Sequence, residues 1–141
     1  IISSALKISE IIDIGSPVSL GEIYVGSLRV HQRGILAADE ISSILSDSVI
    51  AFCSFPPLYL LARSGVYAAY CAHALPCITS LTSDRTCDGI QENVHYISAK
   101  SFDLKNLSLE MFQTVANNAY HWYQSHNLKA QAQYYHHLLT Q

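Results

Sequence analysis

Charge is scarce in this chain. Asp, Glu, Lys and Arg make up 13% of its 141 residues, 8 basic against 11 acidic, for a net charge of −3 with histidine neutral. That share is about half of what a globular protein carries, and it excludes a solvated or disordered tail. The lack of a basic surplus excludes broad electrostatic capture of nucleic acid, so no nucleic-acid partner is expected. A single local phosphate site is still compatible with this charge. Methionine is almost absent, Met111 being the only one, and the chain opens on Ile1-Ile2-Ser3-Ser4. No basic segment precedes an apolar run, so no signal peptide is read. The opening reads as a cut within a longer polypeptide. An uninterrupted apolar run is missing too. Arg63 is the only charge between Ser48 and Ser83, but Pro56-Pro57, Gly65 and Pro76 divide that stretch. Its pieces fall short of the ~20 apolar residues of a spanning helix, so no membrane span is expected. No Cys-x-x-Cys pair occurs among Cys53, Cys71, Cys77 and Cys87, which read as buried, reduced thiols of a cytoplasmic protein. Cys71-Ala72-His73 lies in a helical pattern, where residues two apart diverge, so neither a metal nor a cofactor is expected.

What is there alternates between two periodicities. β-branched runs predict strands near residues 10–15, 23–28, 49–55, 77–81 and 94–98. Helical spacing predicts helices from Ala37 to Leu45 and from Val66 to Ala74. Ser108 is expected to cap a helix to about Trp122, and Asn127 a last one to about Leu139. Arg29, His31 and Arg33 are expected in a small basic loop after the second strand, and a polar loop is expected from Thr82 to Asn93. Strands alternating with helices make an α/β fold: one Rossmann-like domain over residues 1–141, its sheet mainly parallel with helices on both faces. Such a sheet places ligands at the carboxyl ends of its strands.

The segment best suited to chemistry is Ala62-Arg63-Ser64-Gly65-Val66, a small turn feeding a helix. Backbone amides at a helix start, together with the dipole, favour a phosphate, and a glycine there lets it come close. Arg63 adds a forked donor. An ordinary helix with Ser64 as N-cap and Arg63 in solvent explains the same residues, and both readings stay open here. No nucleophile turn of the Gly-x-Ser-x-Gly type is present. His136-His137 read as surface residues, and His121 and His126 flank a helix break.

The run Ala72-His73-Ala74-Leu75-Pro76-Cys77-Ile78 resembles the "A-x-G-x-P-V-I" ending of the donor-binding helix in the C-terminal domain of GT-B glycosyltransferases. Val25-Gly26-Ser27-Leu28 with Asp39 to Asp47, and Asp88-Gly89-Ile90 with Asn93-Val94-His95-Tyr96, are similar to further short pieces of that domain. The likeness covers most of residues 20–140. It implies that a nucleotide-sugar donor binds at the strand ends, its diphosphate on Arg63, Ser64, Gly65 and Val66, with Ser54 and Phe55 lining the pocket. It also implies a missing N-terminal, acceptor-binding domain, without which the fragment is inactive. Many retaining members carry two glutamates eight residues apart; Leu61 and Ala69 stand at those places here, and no diphosphate-clamping Arg-Lys pair is found. The alternatives are a non-catalytic α/β binding or regulatory domain, or a sugar-nucleotide epimerase of related fold. Residues 120–141, with Trp122, Tyr123, Leu128, Tyr134, Leu138 and Leu139, carry enough apolar surface to predict self-association.

Overall fold

A computed structural model describes residues 8–16, 21–55, 60–80, 88–100 and 108–141. The Pro56-Pro57 strand stop, Cys87 and the first half of the loop expected from Thr82 to Asn93 lie outside those residues. The chain divides into two compact units, one up to Val49 and one from Ile50.

The first unit holds β1 (Ile11–Ile14), β2 (Ile23–Val25), β3 (Leu28–Gly34) and α1 (Ala38–Asp47). Its sheet has the order β1-β3-β2, with β1 parallel and β2 antiparallel to β3. The residues expected to form a basic loop are strand β3, and the first two expected strands do not join the other three in one parallel sheet. This corrects the sequence reading. Leu28 and Val30 are half-buried while Arg29 and His31 are exposed, a period-two pattern that charge at every second position hides from a search for apolar runs. The hairpin turn Gly26-Ser27 joins paired Val25 and Leu28. Gly26 has φ +62 and Ser27 is not among the positive-φ residues, which fits a two-residue turn with glycine first. In α1, Asp39 and Glu40 lie in the first turn, and the Glu40 carboxylate accepts from the Ala37 amide at 3.2 Å.

The second unit holds β4 (Ala51–Cys53), a 3₁₀ turn (Leu61–Arg63), α2 (Gly65–Ala72), β5 (Cys77–Thr79), β6 (Ile97–Ser98), α3 (Leu109–His126) and α4 (Leu128–Leu139). Its three strands form a parallel sheet in the order β4-β5-β6. The chain is thus mixed α/β with a small parallel sheet. The strand expected over 94–98 shortens to Ile97-Ser98, because Asn93 takes φ +61 and opens a turn before it.

The core of this unit is one cluster: Cys53, Leu61, Tyr67, Cys71, Cys77, Ile90, Tyr96 and Ala119. α3 buries Phe112, Val115, Ala116 and Ala119 at i, i+3, i+4 and i+7, the stripe of an amphipathic helix. It packs on α2 through Tyr67 and Trp122, whose rings are 6.0 Å apart. The expected caps are both present. Ser108 Oγ accepts from the Met111 amide at 3.0 Å and Asn127 Oδ1 from the Ala130 amide at 2.9 Å. α4 buries no residue.

Candidate functional site at the carboxyl edge of the parallel sheet

Between β4 and β5 the chain passes through α2, so the head of that helix lies on the side where both strands end. Ser54 follows β4 and Ser80 follows β5, and their hydroxyls are 3.1 Å apart. Ser80 Oγ also accepts from the Phe55 amide at 3.1 Å. Ser54 and Phe55, both expected at the site, are therefore held at the strand edge by Ser80. Sequence reasoning did not single out Ser80. Its signal was available, since it stands one residue past β5 just as Ser54 does past β4.

At the helix head, Ser64 is turned into the protein. It is 4% exposed, and its amide donates to the Leu61 carbonyl at 3.0 Å. Its hydroxyl accepts from the Tyr67 amide at 3.1 Å, the N-cap geometry, and its carbonyl accepts from the Ala68 amide at 2.9 Å. The amides of Gly65 and Val66 are the first two of the helix and have no intrahelical partner by geometry. Both residues are exposed, and a Cβ added at Gly65 would meet nothing within 4 Å. Arg63, exposed, closes the 3₁₀ turn just before them. The arrangement brings Arg63, Gly65 and Val66 together on the outside while Ser64 turns inward.

The end of α2 is equally specific. The Leu75 amide donates to the Tyr70 carbonyl at 3.0 Å and the Ala74 amide to the Cys71 carbonyl at 3.1 Å. This pair is the Schellman closure, which needs a left-handed residue, and Ala74 supplies it at φ +49. Glycine ordinarily fills this place because it has no Cβ.

Beneath the edge lies a buried thiol group. Cys53 and Cys77 Sγ are 3.4 Å apart. The contact between the two thiols lowers the Cys53 pKa, while that contact and burial raise Cys77. Burial pushes Cys71 up to about 12. In the strand register Cys77 faces Ala51 and Cys53 faces Thr79, so the two cysteines are diagonal neighbours. Diagonal positions on adjacent strands are about 7–8 Å apart, beyond ordinary disulfide reach. Burial also raises the Tyr67 phenol, whose hydroxyl donates to the His95 carbonyl at 2.9 Å. His95 Nδ1 accepts from the Gln91 amide at 3.1 Å, and burial lowers its pKa.

Leu61 is 6% exposed within the core cluster and Ala69 is half-buried on α2. Neither offers a carboxylate toward the edge. Among the described residues, no three His, Cys, Asp or Glu side chains come together as a metal-ligand set, and no helix is long and apolar enough to cross a membrane. Compared with family models, with curated proteins and with solved structures, the chain matches none.

Proposed function

We propose that this chain is the donor-binding part of a glycosyltransferase of the GT-B type, Rossmann-like with helices on both faces of its sheet, working in the cytoplasm. It receives the diphosphate of a nucleotide-sugar at the head of α2. The observation that carries this reading is that Gly65 and Val66, whose amides open α2, are exposed beside the exposed Arg63, at the carboxyl edge of a parallel sheet. The left-handed Ala74 adds support, since it stands where the family's helix ending has glycine. Fixed amides and a guanidinium at this point would stabilise a departing diphosphate. Ser64 acts here by capping the helix that presents those amides.

Leu61 in the core favours a second reading, a binding or regulatory domain with the same edge and no chemistry of its own. Titration with a nucleoside diphosphate tests the site common to both readings. Saturable binding is expected that Arg63→Ala weakens about ten- to a hundredfold and Gly65→Val weakens by crowding. Unchanged affinity in both variants would overturn the site. Sugar transfer to an acceptor, with Leu61 and Ala69 as they stand, separates an enzyme from a binding domain. Residues 120–141 are proposed as the surface through which two copies of the chain associate.

A further inference from the structure

β3 runs through the middle of its sheet, so its outward side chains stand between two flanking strands. Register places Tyr24 beside Arg29 and Ile12 beside His31 on that face. Between Asp13 and Ile14 of β1 the pairing shifts, leaving Arg33 as the extra residue between paired Gln32 and Gly34. Such a bulge re-aims the side chain it carries. Arg33, Arg29, His31, Gln32 and Glu22 line an open pocket of about 250 Å³.

The charges in this pocket select its ligand. Arg29 Nη2 is 3.0 Å from Glu22 Oε1, and His31 Nε2 is 3.8 Å from Glu10 Oε2. Arg33 is exposed and has no acid partner among the described residues. A pure anion would gain Arg33, but it would have to compete with Glu22 for Arg29. A ligand with both charges avoids that conflict. Its carboxylate takes the Arg33 fork, and its ammonium takes the Glu22 carboxylate, which is largely exposed beside Arg29 and has acceptor sites to spare. We infer that the pocket over β3 binds a small zwitterion, a molecule with one carboxylate and one ammonium group, of the amino-acid or short-peptide class. The existing Arg29–Glu22 pair stays intact and holds the Glu22 carboxylate in place.

The test is an amide-resolved NMR titration of the whole chain with glycine and glycylglycine, against acetate, methylammonium and inorganic phosphate. Saturating shifts at Glu22 and residues 29–33 are expected with a zwitterion, at about tenfold higher affinity than with the single-charge probes. Arg33→Ala and Glu22→Gln should each lose about tenfold with the circular dichroism unchanged. Arg33→Gln, which keeps most of the stem, repeats the measurement if Arg33→Ala disturbs the sheet. Three results, each read at Glu22 and residues 29–33, would overturn the inference: acetate or phosphate binding there as tightly as the zwitterions, zwitterion affinity surviving the loss of Arg33, or no saturating shift with either zwitterion.

Discussion

Ala74 holds a backbone conformation that costs an L-residue roughly 1–2 kcal/mol, and the Schellman closure of α2 requires it. Ala74→Gly removes that strain and gives back part of the gain as unfolded-chain entropy. The expected net is a stabilisation of about 0.5–1 kcal/mol in urea melting, and a loss of stability would contradict the assignment. Ser64→Ala acts in the opposite direction, costing about 1 kcal/mol through the lost cap. Nucleoside-diphosphate affinity should not change with it, because Ser64 is buried, with its amide bonded to the Leu61 carbonyl and its hydroxyl against the Tyr67 amide. His95 gives a pH signature. Burial holds its folded pKa below the ordinary imidazole value, so the unfolded chain takes up its proton first as pH falls. Stability from this residue is present above about pH 6.5 and is lost from there down through the lowered folded value. Melting temperatures from about pH 7.5 to about pH 5 should therefore fall more steeply for the native chain than for His95→Gln. Parallel curves would remove the effect.

At the scale of elements, the helix starts were legible because they are written in side chains, whereas the end expected near Trp122 was not: α3 runs on to His126, so His121 lies within it. Ser64, Ser108 and Asn127 each accept the amide three residues on, as their positions before apolar-periodic runs implied. The core strands β4 and β5 were legible as short β-branched or cysteine-containing runs, although the ends of both were expected too long. β3 was not legible as a strand. Its Arg, His, Gln, Arg content reads as loop, and only the Gly26-Ser27 turn marked the hairpin. The edge of the parallel sheet was legible at Ser54 and Phe55, but their tie to Ser80 depends on strand register that no local pattern reveals. α4 differs from the other helices. Leu128 and Leu139 are each 86% exposed, and Tyr134, Tyr135 and Leu138 are exposed between them. Leu128, Ala132, Tyr135 and Leu139 recur at four, three and four residues, the spacing of a helix–helix seam. Light scattering should accordingly give a mass that rises with concentration, and Tyr135→Glu with Leu139→Glu should abolish the rise. A strict monomer at all concentrations would exclude the association.

At the scale of the whole molecule, nothing in Ser48-Val49-Ile50 announces a boundary. No glycine, proline or charge marks it, yet the two compact units divide there. The second unit has its own sheet, helices and core cluster. Residues 50–141 expressed alone should melt cooperatively and keep the near-ultraviolet signal of Trp122 packed on Tyr67. A broad transition without that signal would show that the unit depends on the first. The topology also sets an order of assembly. The β2–β3 hairpin closes over two residues and can form within about 1–10 μs. Pairing β4 with β5 must first bring together residues as far apart as Cys53 and Cys77, 24 positions along the chain. On loop length alone that closure costs about 2 kcal/mol more, which delays it. Until it happens both thiols are open to solvent in a flexible chain, free to pair with any cysteine they meet. Renaturation in air should therefore yield mismatched disulfides that the finished sheet cannot accommodate, whereas a reductant kept present until β4 and β5 have paired should restore the yield.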